Sequence, residues 1–276
     1  MTAPPSSTDA SPETIAVFGG VYNNYLSLQA VIDDARAQGA QRIYCLGDIG
    51  GFGPHPDRSV PILQREGVLT MQGNYDHSIG NELEDCACGY TDPRDNHFAQ
   101  ISYDYTLGHT SDAHKAWLRD LPTEFRLEFG GHRLLMAHGS PRRVNEFLWA
   151  STTPRPFIRR LLDEHEADLL LVTHTGIHWS RFLEEEPTRG VVNVGAIGRP
   201  ANDGRTEVWY ALLTAPERPG LPIDVTFRPI AYDHARLAAD MRAEALPEEF
   251  VETILTGWWT TCLEILPIKE RSRSRY

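Results

Sequence analysis

A chain of 276 residues, 41% of them apolar, is long enough to bury a full core. Its formal net charge of −12, from 26 Lys and Arg against 38 Asp and Glu, repels polyanions, so nucleic acid is not expected as a partner. No apolar run approaches the roughly 18 residues that cross a bilayer, and the four cysteines (Cys45, Cys86, Cys88, Cys262) do not form the pattern of a disulfide framework, so a cytoplasmic protein without membrane contact is expected.

Residues 1–13, rich in Pro, Ser and Thr, read as a disordered tail. One domain is expected over 14–233, followed by a helical extension over 234–276 packed on it. Residues 14–18 read as a buried strand. Leu28, Val31, Ile32 and Ala35 then fall at i, i+3, i+4 and i+7, the stripe of a helix ending at Gly39, and 42–46 is the next strand. This order makes a βαβ unit with parallel strands. A short helix over 59–66 leads to a strand over 68–72. The stretch 78–110, crowded with Gly, Asp and Asn, reads as a loop insertion beside the active site.

Further along, a helix over 111–121 precedes two strands flanking Gly130-Gly131, a two-residue hairpin signal. A helix over 156–166, the apolar strand 169–172, strands at 191–194, 207–213 and 223–229, and a helix over 234–256 complete the pattern. Parallel and antiparallel strands mixed with helices predict two packed β-sheets with helices outside them, an α/β architecture.

Four segments share one layout, an apolar strand that stops at polar residues flanked by glycine: Gly47-Asp48, Gly73-Asn74-Tyr75-Asp76, Ala137-His138-Gly139 and Thr173-His174-Thr175-Gly176. Ligands of open α/β sheets bind beyond the carboxyl ends of strands, so these segments are expected to converge. One carboxylate, one amide and two imidazoles suit Mn²⁺, Fe²⁺ or Zn²⁺.

With the runs Gly47-Asp-Ile-Gly-Gly-Phe-Gly-Pro54, His138-Gly-Ser-Pro141 and Asn193-Val-Gly-Ala-Ile-Gly-Arg-Pro200, the chain resembles the calcineurin-like metallophosphoesterases, a small bacterial phosphodiesterase and phosphatase-like branch in particular. The resemblance implies a four-layer α/β/β/α sandwich of two mixed sheets flanked by helices, and a two-metal centre that activates water against phosphorus. Asp48, Asn74, His138 and His174 match all the ligands of one divalent transition metal. Gly20, Tyr22 and Gly176 stand where the ligands private to the other metal belong, which leaves that second ion in doubt. Tyr22, His178, Cys86 and Cys88 are candidate replacement ligands, and the triple change Gly20→Asp, Tyr22→His, Gly176→His is expected to restore the missing site.

Asp76 keeps its family position and His77 beside it is a candidate proton donor, against the alternative of an exposed loop histidine. Asn24 matches a phosphate-positioning asparagine. Arg142, Arg143 and Arg199 follow the ligand loops and are candidates for holding a small phosphorylated substrate, or else surface ion pairs. The expected activity is metal-dependent hydrolysis of a phosphoric ester; the alternative is a degenerate module that binds without turnover.

Overall fold

The structure, a computed structural model, describes residues 13–272. The expected disordered tail therefore lies, apart from Glu13, outside the described residues. Strand β1 (Thr14–Phe18) is buried along its whole length. It runs parallel to β2 (Arg42–Cys45), and α1 (Tyr25–Ala37) makes the crossover, burying the predicted stripe of Leu28, Val31, Ile32 and Ala35. After a 3-10 turn at Pro56–Arg58, α2 (Ser59–Arg65) leads to β3 (Leu69–Thr70), shorter than the sequence pattern suggests. Helix α3 (Asn74–Gly80) follows directly.

Composition suggests a loop over 78–110, yet α4 (Pro93–His109) occupies half of it. The buried residues of α4 are Asp95, Phe98, Ala99, Ser102, Tyr103 and Thr106, a helical spacing that sequence hydropathy conceals because three of the six are polar. Asp92 at the N-cap accepts from the Arg94 N–H and Pro93 takes the first helical position, the two local signals that mark this start.

Helix α5 (Asp112–Arg119) precedes the hairpin of β4 (Glu124–Phe129) and β5 (His132–Ala137). Its turn residues Gly130 and Gly131 have φ of 58° and 83°, as a type I′ turn requires. Helix α6 (Arg155–Glu164) is followed by β6 (Leu169–Val172), β7 (His178–Phe182), β8 (Gly190–Val194), β9 (Val208–Thr214) and β10 (Asp224–Ile230). Strand β7 has no apolar run to announce it; it pairs antiparallel with β8 at the edge of its sheet.

The strands form two five-stranded mixed sheets, ordered β10-β9-β1-β2-β3 and β4-β5-β6-β8-β7. Side chains alternate between faces. Ile15 and Val17 join Leu134, Met136, Leu171 and Val192 in a core between the sheets, while Ala16 and Phe18 face α1. On the other outer face Ile158, Leu161 and Leu162 of α6 cover Leu135 and Leu170. The result is the four-layer α/β/β/α sandwich. The carboxyl ends of β2, β3, β5 and β6 carry the four polar segments, which brings them together at one edge of the sandwich. The C-terminal segment breaks into α7 (His234–Ala243) and α8 (Glu248–Thr256), because Pro247 interrupts the expected single helix, and ends in α9 (Ile268–Ser272).

Candidate metal centre

Asp48 follows β2, Asn74 opens α3 after β3, His138 follows β5 and His174 follows β6. All four are at least nine-tenths buried. Asp48 and His174 hold φ of 55° and 64°, left-handed values unusual for residues with side chains. Tyr22, Asn23 and Phe52 nearby also have positive φ (49°, 59° and 54°), so local strain gathers around this point, as it does at functional sites.

Asp76 maintains the turn. Its Oδ2 accepts from the backbone N–H of Asp48 (2.7 Å) and Gly73 (2.8 Å), and its Oδ1 from Ile49 N–H (2.9 Å). Burial, and then the charge of Asp48, pushes the Asp76 carboxyl up to about 6 despite these bonds. Both oxygens are engaged with backbone, so the expected catalytic part for Asp76 is corrected: it positions the ligand loops.

The ligand atoms of Asp48, His138 and His174 lie within 4.8 Å of one another. His138 Nδ1 donates to the Leu46 carbonyl at 2.6 Å, which turns Nε2 toward Asp48 Oδ2 (3.2 Å) and His174 Nδ1 (3.2 Å). A carboxylate oxygen facing an imidazole lone pair in a buried site repels it unless a proton or a metal ion sits between them. Without metal the proton takes that place: burial opposes charge on His138, but the Asp48 carboxylate prevails and raises it above its ordinary value, while burial and then His138 push His174 down to about 3. Asn74 Nδ2 donates to the Cys86 carbonyl at 2.8 Å, leaving its buried Oδ1 with no partner, and His174 Nε2 is likewise unpartnered.

These residues fit a first-row divalent ion. Ligands at about 2.0–2.2 Å from a shared ion lie roughly 3–4 Å apart, and the two imidazole and carboxylate approaches of 3.2 Å match that spacing. Asn74 supplies a fourth donor, an amide oxygen whose lone pairs nothing else uses.

Beside the donors lies a cavity of about 40 Å³, lined by Asp48 and His174 together with Tyr22, Phe52, Tyr75 and Arg199. Phe250, Thr261 and Cys262 of the C-terminal segment close it. Sequence reasoning missed this wall. The aromatic and apolar positions from Phe250 onward signal only a packed face; which face they cover follows from how the chain returns.

Other expected residues fall elsewhere. Asn24 is fully buried, accepts from Ser27 N–H (3.0 Å) and donates to the Gly198 carbonyl (3.2 Å), so it caps α1 and ties down a loop without facing the cavity. His77, Arg142 and Arg143 are exposed and line a separate groove of about 290 Å³ that shares only His138 with the donor cluster. Arg142 reaches Glu146 at 3.6 Å and His77 Nδ1 faces Asn81, so these three lie on the groove side of His138 and not in the cavity lined by Asp48 and His174. Of the expected substrate residues, Arg199 lines the cavity.

The replacement ligands are also corrected. Cys86 and Cys88 are joined in a disulfide, which offers no thiolate to a metal. His178 stacks between Trp209 (4.4 Å) and Phe227 (4.8 Å), outside the cavity lining. Tyr22 reaches the cavity; burial raises its phenol well above the ordinary value, and its ring lies 5.6 Å from the Arg199 guanidinium.

Two mixed sheets between helices, with Asp and His donors gathered at the strand ends, define a phosphoesterase-type α/β sandwich. The chain belongs to the calcineurin-like phosphoesterase superfamily, whose domain profile matches residues 14–217. It is 23% identical over 258 residues, 88% of this chain and 98% of the relative, to the uncharacterized protein MJ0912 of Methanocaldococcus jannaschii. Its structure is similar to a metallophosphoesterase from Sphaerobacter thermophilus (25% identity, TM-score 0.66, covering 89% of this chain and 99% of the other). The fold is shared as well with the hypothetical protein PH1004 from Pyrococcus horikoshii OT3 (22% identity, TM-score 0.72, 90% of this chain and 99% of the other). Among the described residues no helix is long and apolar enough to cross a membrane.

Proposed function

We propose that the protein hydrolyses a small phosphoric ester with a single divalent transition ion, Mn²⁺, Fe²⁺ or Zn²⁺, held by Asp48, Asn74, His138 and His174. One observation carries this reading: His138 Nε2 and Asp48 Oδ2 face each other at 3.2 Å beside an unpartnered Asn74 Oδ1, a buried donor set that a cation satisfies. When bound, such an ion polarises a phosphoryl oxygen and lowers the pKa of a water toward neutrality. The chain's own residues do the rest. Leu46 fixes the His138 tautomer through its carbonyl, Asp76 holds the Asp48 and Gly73 backbone, and the aromatic wall limits water around the reacting group.

A monoanionic diester needs less charge neutralisation than a dianionic monoester, so a one-ion centre favours diesters. With Mn²⁺ added, an aryl phosphodiester is expected to turn over faster than the matching monoester; an equal or reversed preference removes this argument. A second reading, a phosphate-binding module without turnover, is favoured by one feature: a cavity of about 40 Å³ has room for about three waters, not for a whole ester. One tightly bound metal per chain with no turnover of either ester supports that second reading.

A further inference from the structure

Arg199 is the charged residue of the cavity that the metal centre leaves unexplained. It is 6% exposed, and its guanidinium lies 3.6 Å from the centre of the Trp259 ring, 5.6 Å from Tyr22 and 5.9 Å from Phe52. Its Nε has no hydrogen-bond partner, and among the described residues no carboxylate forms an ion pair with it. Aromatic faces attract a cation, but they do not satisfy five N–H donors, and a buried charge without a counter-ion is strongly disfavoured. Asp48 and His174 line the same cavity.

The surrounding backbone makes room for this side chain. A Cβ on Gly176 would stand 3.5 Å from Arg199 Nη2 and 3.1 Å from the Trp259 ring, and one on Gly20 would stand 2.9 Å from the Tyr22 ring that flanks the guanidinium. Both glycines have positive φ, 75° and 55°, so any larger residue there meets strain and crowding together. Trp259 is in turn held by its Nε1–H, which donates to the Pro200 carbonyl at 2.6 Å, one residue from Arg199.

We infer that Arg199 is an oxyanion-binding residue, whose guanidinium takes two oxygens of a phosphoryl-sized anion lying between it and the Asp48–Asn74–His138–His174 centre. The choice of phosphate among oxyanions rests on the proposed phosphoesterase function. A planar guanidinium presents paired donors that match two phosphoryl oxygens, and it supplies a second positive charge opposite a bound ion, the clamp that phosphoryl transfer uses. The cavity's 40 Å³ is on the scale of one small tetrahedral group.

The test is binding of inorganic phosphate, by calorimetry and thermal shift, to wild type and to Arg199→Met, each metal-loaded and chelated, with metal content measured by mass spectrometry. Wild type is expected to bind phosphate saturably. Arg199→Met is expected to keep its metal and to bind phosphate at least about tenfold more weakly, the scale of a lost charge-assisted hydrogen bond. Unchanged affinity in the folded variant, or no phosphate binding by wild type, overturns the assignment. A wild type that holds no metal yet loses phosphate affinity on Arg199→Met retires the one-ion function and keeps the anion site. Should Arg199→Met fail to fold, Arg199→Lys, which keeps the charge without the fork, is read in the same assay: a loss of about threefold or more supports the assignment, and none overturns it.

Discussion

The two sides of the site, the donor cluster and the surroundings of Arg199, are built in opposite ways. On one, Asp48, Asn74, His138 and His174 stand at strand ends in backbone conformations that Asp76 and the Leu46 carbonyl hold in place, and their polar atoms converge without mutual satisfaction. On the other, Gly20 and Gly176 withdraw, and Tyr22, Arg199 and Trp259 fill the space with aromatic rings around a single cation. One wall is organised to receive a metal and the other is already packed around an organic charge.

The largest expected effects fall on the donor wall. Asp48→Ala or His138→Ala is expected to abolish metal binding, read as metal per chain, and to reduce phosphodiester hydrolysis roughly a hundred- to thousand-fold, the several kcal/mol that Lewis-acid catalysis supplies. Asp76→Asn is expected to weaken metal affinity about 10- to 100-fold while leaving every ligand in place, since one carboxylate now holds three backbone N–H groups. A metal titration in which Asp76→Asn matches wild type would separate the turn from the centre.

The opposite wall is expected to resist reconstruction. The triple change Gly20→Asp, Tyr22→His, Gly176→His, which the sequence suggests would restore a second metal, meets positive φ at both glycines and filled space at both. Strain of about 1–3 kcal/mol per position and overpacking of similar size predict a lower melting temperature and no additional metal. A well-folded triple variant carrying two ions per chain would show that this wall is not packed as described.

The smallest effect serves as a reference outside both walls. Asp34 on α1 accepts a bidentate pair from Arg228 (2.7 and 2.8 Å) and the Tyr210 hydroxyl (2.7 Å), and the Arg228 hydrogen bonds outweigh partial burial to hold its carboxyl below the usual range. A depressed carboxylate contributes stability above its unfolded value of about 3.9 and loses it as pH falls through the folded value. Asp34→Asn is therefore expected to cost about 1 kcal/mol at pH 7, after allowance for its partial exposure, and progressively less as pH falls below the unfolded value, with metal content unchanged. Melting curves across that range measure it.

Elements whose burial is written in apolar residues were legible in advance. The stripe of α1, the β4–β5 hairpin around Gly130-Gly131 and the strand Leu169–Val172 each bury what their sequence displays. Helix α4 was hidden because Asp95, Ser102 and Thr106 take half of its buried face, and β7 because an edge strand of five residues needs no apolar run. The four donors could be found because each follows a strand and sits among small residues. The places of Asn24, His77 and Asp76 could not, since a polar residue beside a ligand reads the same whether it faces a cavity, solvent or backbone.

Sequence alone determined the sandwich of two mixed sheets and pointed to Asp48, His138 and His174, which the fold brings together, because strand periodicity and strand-end residues are local properties; the departures at Gly20, Tyr22 and Gly176 were visible only through the family resemblance. Tertiary structure decided the rest. That Cys86 bonds Cys88, that His178 packs away between Trp209 and Phe227, and that Arg199 meets Trp259 from 60 positions further along depend on where distant segments return. Closure of the chain sets those contacts, and no periodicity along it records them.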